Sequence, residues 1–361
     1  MKLGILTFHS VDNYGAVLQA FALQMYLKTL GHDVEIIDYR PSYFHPKRRL
    51  SLMHPVRLLG EMAGLYHARR FESFRKMHFN RTAACFTVAD LESKLPRYDA
   101  VIVGSDQVWS PNVDRRKETD PIYFFRWNLP EGTKKIGYAA SFGTDSIPEE
   151  HVPSVVDGLK NIDVISVREK SGVEIVRSLV EREATWVCDP VFLLSPEQWK
   201  AAAGVIGDKT RDYFTYMSPS IPMLQELARK HYCKVITPSW NPYFVVKSRL
   251  CVSLDSPFSW IRHISSTQGF ITKSFHGTSF AILMHVPFVF IRPAGQMAKR
   301  ATRIINVLER VGLTSRILSE EDATSDCIDS ILSAPIDWAK VDAAREEYVE
   351  VSKLFVSECI R

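Results

Sequence analysis

The chain has 361 residues, 46% of them hydrophobic and 24% charged, with a formal net charge of +4. That length can bury two cores and favours two domains. The mild positive balance suits an anionic substrate or a membrane surface and is too weak to argue for nucleic acid. Six cysteines are scattered without a CxxC pair or cluster, so neither a zinc site nor a disulfide framework is expected, and a reducing compartment is.

The apolar run at the N-terminus is too short for a signal peptide. The longest one, Phe280–Ile291, is broken by His285 and Pro287 and is too short to span a bilayer. A cytoplasmic protein is expected, peripheral to the membrane at most.

In chain order, Leu3–Phe8 reads as a strand, Ala16–Leu30 as an amphipathic helix stopped by Gly31, and Val34–Tyr39 as a second strand. This βαβ unit is Rossmann-like, but its turn lacks GxGxxG, so a standard dinucleotide site is not expected. Asn13 and Gly15 in that turn let a backbone approach a ligand, and a plain tight turn explains them too.

From Pro46 to Arg81, nine Lys or Arg residues stand against Glu61 and Glu72, with Leu58, Leu59, Met62, Leu65, Phe71 and Phe74 at helical spacing. Such a basic helical insertion can lie on an anionic bilayer or be a solvated face over a core seam.

Tyr98–Val103 is nearly continuously apolar, as a buried parallel strand should be, and ends in Gly104-Ser105-Asp106-Gln107. Lys135–Ala140 ends likewise in Ser141-Phe142-Gly143, and Val164–Val167 ends in Arg168. Polar clusters at the C-terminal ends of strands are where open α/β sheets bind ligands. A domain boundary is placed near Ser195, giving 1–193 and 194–361, with the insertion 46–81 in the first domain. A terminal helix, 341–357, is expected to pack back on that domain.

The second half repeats the alternation, and its centre is Thr267–Pro293. There a short apolar run, Gly269–Thr272, precedes a polar turn holding Lys273, Ser274 and His276. A helix through Met284 and a strand, Pro287–Ile291, follow. His276, Gly277, Thr278 and Ser279 open the helix, where unpaired N–H groups and the dipole favour an anion. Imidazole can pass a proton there. A buried structural histidine, with Ser274 or Thr278 as helix cap, is the plainer alternative. Lys299, Arg300 and Arg303 form a basic loop that can assist a phosphate or simply be solvated.

Four segments together resemble one family. They are FHSVDNYGAVLQAFALQ (Phe8–Gln24), YDAVIVGSDQVW (Tyr98–Trp109), GYAASFG with ISVREKSG (Gly137–Gly143, Ile165–Gly172), and SFHGTSFA ahead of a P-F strand. In this order they resemble the polysaccharide pyruvyl transferases. The resemblance implies a GT-B-like pair of Rossmann-like domains facing a cleft, with His276 and Arg168 essential. It also implies phosphoenolpyruvate as donor substrate, a saccharide acceptor and a cyclic ketal product.

Beside that, the residues themselves suit the chemistry. His276 can protonate the methylene carbon, Arg168 can grip a carboxylate or phosphate in bidentate fashion, and Asp106 can orient or deprotonate an acceptor hydroxyl. Asp106 can equally be a capping or charge-pairing residue. Ser105, Ser141, Ser274, Gly277 and Thr278 are further expected contacts. No metal and no cofactor are expected. An acceptor linked to lipid would give the basic insertion a purpose. The alternatives are a GT-B glycosyltransferase with a nucleotide-sugar donor and a non-catalytic carbohydrate-binding protein.

Overall fold

The structure is a computed structural model and describes residues 1–44, 55–111, 119–207, 209–217, 220–239, 250–295 and 301–360. The chain divides into two compact units, one of 1–47, 78–194 and 345–361, the other of 48–77 and 195–344.

The first unit holds a parallel sheet of six strands: β1 (Lys2–Leu6), β2 (Asp33–Ile36), β3 (Ala100–Val103), β4 (Lys134–Ala140), β5 (Val164–Val167) and β6 (Thr185–Trp186). Their order is β2-β1-β3-β4-β5-β6. Strand β3 is AVIV and buried at all four positions, because a parallel sheet is covered on both faces. Helix α1 (Tyr14–Thr29) is buried on nearly every side and not only along one stripe, so it belongs to the core and is not the amphipathic helix expected. The C-terminal segment joins this unit, as Tyr348 OH donates to the Val187 carbonyl at 2.8 Å and the Cys188 N–H donates to Ser352 Oγ at 2.8 Å.

The second unit has its own parallel sheet: β7 (Tyr213–Tyr216), β8 (Val235–Pro238), β9 (Cys251–Ser253), β10 (Gly269–Thr272), β11 (Phe288–Arg292) and β12 (Ile317–Ser319). The order is β12-β11-β10-β7-β8-β9. Leu224, Leu227, Ile271, Val289 and Ile328 form part of its core.

Helix α2 (Pro55–His78), within the basic insertion, carries most of 48–77 and groups with this second unit and not with the first. The physical reason is apolar contact: Phe74 is buried edge-on against Phe258, with ring centroids 4.7 Å apart. Lys47, Arg48 and Arg49 of the insertion lie outside the described residues. Among the described residues, no helix is long and apolar enough to cross a membrane.

Candidate active site

In the first sheet the strand order turns between β1 and β3, the position where an open α/β sheet leaves a crevice at its strand ends. The chain leaves β1 as Thr7-Phe8-His9 and β3 as Gly104-Ser105-Asp106. Thr7 Oγ1 donates to the Ser105 carbonyl at 2.9 Å. Gln19, buried on α1, donates to Thr7 Oγ1 at 2.8 Å and accepts from the Ser105 N–H at 3.2 Å. Gly104 has φ +115°, and a Cβ there would stand 2.1 Å from the Tyr138 carbonyl oxygen. Only glycine fits so close an approach. Asp106 follows with φ 73°, an uncommon conformation for a side chain and one that collects at functional sites.

Arg168, at the end of β5, is 0% exposed. Its Nη1 donates to Asp189 Oδ2 at 2.6 Å and its Nη2 to Asp106 Oδ1 at 3.5 Å. Burial opposes its charge, but Asp189, then Asp106 and Glu169, outweigh that and raise its pKa further. Two of its nitrogens are thus engaged by carboxylates of the protein. Arg168 is the enclosed cation that fixes Asp106, whose side chain keeps 17% exposure.

Ser105 and Ser141 are likewise bonded within the protein. Ser105 Oγ lies within hydrogen-bonding distance of the Ala139 carbonyl (2.9 Å) and Asp189 (3.1 Å). Ser141 Oγ donates to Glu169 Oε1 at 2.9 Å and accepts from the Gly143 N–H at 3.1 Å. Both hydroxyls are buried and engaged within the protein. Asn13 proves to be the N-cap of α1, accepting from the Ala16 N–H at 3.1 Å, and Gly15 lies inside the first helical turn instead of in the loop.

Sequence reasoning overlooked a second polar group at this end. His9 Nε2 meets Asp38 Oδ1 at 2.9 Å, while Arg40 takes both oxygens of Asp38 at 2.7 and 2.8 Å. Burial alone would raise the Asp38 pKa. The hydrogen bonds and charges of His9 and Arg40 reverse this and hold it well below the usual carboxylate range. The available signal was positional. His9, Asp38, Asp106, Arg168 and Asp189 each stand just past the end of a strand of one sheet. Beside them, Asp120 accepts from Tyr39 OH (3.0 Å) and Tyr43 OH (2.8 Å).

In the second sheet the order turns between β7 and β10. Thr272 Oγ1 closes these two strand ends by donating to the Tyr216 carbonyl at 2.9 Å and accepting from the Ser274 N–H at 3.0 Å. Ser274 then caps the helix Phe275–Leu283, its Oγ accepting from the Gly277 N–H at 3.2 Å. Thr278 Oγ1 donates back to the Ser274 carbonyl at 3.0 Å. Ser274 is thus the helix cap, and Thr278 ties the first turn back to it.

Gly277 is needed because a Cβ would meet Thr272 Oγ1 at 2.9 Å and the Phe270 ring at 3.0 Å. His276 is the second residue of this helix and 8% exposed, so it stands at the dipole's positive end with a small opening to solvent. Arg303 lies over the Phe275 ring, 5.7 Å from its centroid, which brings one cation to this end. Lys273 is paired with Glu320, whose second oxygen accepts from the Ala294 N–H at 3.3 Å. The Lys273 bond leads in holding the Glu320 pKa down. Lys299 lies outside the described residues.

Of the expected residues, the structure therefore gathers Asp106 and Arg168 at one switch point and His276, Gly277 and Arg303 near the other. Among the described residues, no group of three or more His, Cys, Asp or Glu side chains is placed to hold a metal ion.

Comparison with solved structures gives the fold. UGT89C1 of Arabidopsis thaliana complexed with UDP-L-rhamnose superposes with a TM-score of 0.54 at 11% identity over 99% of this chain and 97% of its own. The UDP-GlcNAc 2-epimerase of Neisseria meningitidis bound to UDP-GlcNAc gives 0.50 at 12% identity over 99% of each chain. These likenesses and the two parallel six-stranded sheets make this a GT-B-like fold of two Rossmann-like domains. No curated protein sequence matches the chain. The sequence profile described as polysaccharide pyruvyl transferase matches residues 13–294, which include both switch-point loops after β3 and β10, and the chain belongs to that family.

Proposed function

We propose that the protein transfers the enolpyruvyl unit of phosphoenolpyruvate to two hydroxyls of one saccharide, forming a cyclic ketal and releasing phosphate. The observation that carries this reading is the position of His276 in a chain of this family. It opens a helix at the β7/β10 switch point, where an anion and a proton donor are both favoured.

The donor's phosphate is assigned to that helix end, with Arg303 nearby. His276 gives a proton to the methylene carbon, which becomes the methyl group and leaves positive character at the adjacent carbon. One sugar hydroxyl adds there, phosphate departs, and the second hydroxyl closes the ring. Of the two hydroxyl protons lost, one restores the proton supplied by His276 and the other leaves with phosphate. Asp106 is assigned to the acceptor hydroxyl, with Arg168 and behind it Asp189 holding the carboxylate in place. The acceptor is proposed to be a saccharide carried on a lipid.

Thermal shift tests the donor class. Phosphoenolpyruvate at a hundred times its Kd should add about 2.7 kcal/mol of stability, while UDP-sugars add none. Stabilisation by UDP-GlcNAc alone would assign the protein to glycosyl transfer, and stabilisation by neither would favour a binding protein.

A further inference from the structure

We infer that α2 carries a docking face for an anionic lipid surface. At about 100° per residue, Met62, Leu65, Tyr66, Arg69, Ser73, Lys76 and Met77 fall within about 60° either side of one line along this helix. All seven are exposed, Met62 to 58% and Met77 to 70%. The opposite side holds Phe71 and Phe74, with Phe74 seated on Phe258, so the helix cannot roll the stripe inward without losing that contact.

The charges are sorted as well. Both acids of the helix, Glu61 and Glu72, lie outside the stripe, and Glu72 is bonded to Arg75 at 3.0 Å. Within the stripe the only charges are Arg69 and Lys76, and Arg70 at its edge donates to Tyr66 OH at 3.1 Å, with its guanidinium 5.7 Å from that ring. Four apolar side chains interleaved with cations and free of acids match an interfacial helix, whose apolar face enters the headgroup boundary while lysine and arginine meet anionic lipid. A tyrosine is suited to the headgroup level.

Charge complementarity selects lipid over a second copy of the chain. Pairing two such stripes would set Arg69 and Lys76 against their own counterparts, whereas an anionic bilayer answers both.

The test is co-sedimentation of the full chain with vesicles of phosphatidylglycerol and phosphatidylcholine, against phosphatidylcholine alone. Wild type should bind the anionic vesicles at low salt and release them near 1 M salt, where the Debye length falls to about 3 Å. Arg69→Glu/Lys76→Glu should weaken binding about tenfold or more, and Met62→Ser/Met77→Ser should weaken it several-fold, with circular dichroism showing both folded. Phosphate release with a soluble acceptor should not change in either variant, which separates this inference from the proposed reaction. Absence of binding by wild type, binding that ignores lipid charge, or binding unchanged in both variants would overturn it. So would sedimentation velocity showing that the stripe holds a dimer and the protein ignores lipid.

Discussion

Each sheet reverses its strand order at a switch point, between β1 and β3 in the first and between β7 and β10 in the second, and the chain furnishes the two differently. In the first unit, ionisable side chains at the strand ends are locked into two groups: Arg168 with Asp189 and Asp106, and Asp38 with His9 and Arg40. In the second, Thr272 and Ser274 close the ends of β7 and β10 with neutral hydroxyls and backbone, Lys273 is paired with Glu320 beside them, and among the described residues His276 and the Arg303 cation stand at the helix end. Buried charges fix geometry at a high desolvation cost, whereas neutral caps leave a helix dipole uncompensated for an incoming anion. The first arrangement suits an orienting group such as Asp106, and the second suits a charged donor.

This contrast can be broken at several places, in decreasing order of expected effect. Arg168→Leu removes a fully buried cation from between Asp189 and Asp106 and should cost about 3–5 kcal/mol in chemical denaturation, because the buried Asp189 carboxylate loses its partner. A loss below about 1 kcal/mol would mean that the cluster is not held by that charge. Gly277→Ala pushes a methyl against β10 at the other switch point and should cost about 1–3 kcal/mol. Ser274→Ala removes only a neutral cap and should cost about 1 kcal/mol, with Ser274→Asp recovering most of it in a thermal melt.

The mildest test is pH. The Asp38 pKa is depressed in the folded state, so its contribution is present above the unfolded value, about 3.9, and is lost as pH falls below it. Wild type should therefore lose stability on acidification more steeply than Asp38→Asn. Parallel curves from pH 6 downward would show that the His9–Asp38–Arg40 group does not matter to acid stability.

Much of this was legible in residue order. Strands β5 and β10 stand where the apolar runs predict them, because a strand covered on both faces is mostly apolar. The edge strands β9 and β12 went unread, being three residues long, too short to show any period. His276 and Asp106 were readable as polar residues directly after a buried strand. The burial of Arg168 was not, because it is set by Asp189, 21 residues on and brought alongside only by the pairing of β5 with β6. The same holds for His9 and Asp38, 29 residues apart. Sequence shows which strand ends carry charge, but the sheet order decides which charges meet.

His276 is proposed to supply the proton in transfer from phosphoenolpyruvate, and phosphate release from that donor is to be measured over a panel of saccharide acceptors. Wild type should release phosphate only when an acceptor is present. His276→Gln should keep its melting temperature and its stabilisation by phosphoenolpyruvate while turning over about a hundredfold more slowly or worse. A His276→Gln variant within a few-fold of the wild-type rate would show that His276 is not the proton donor.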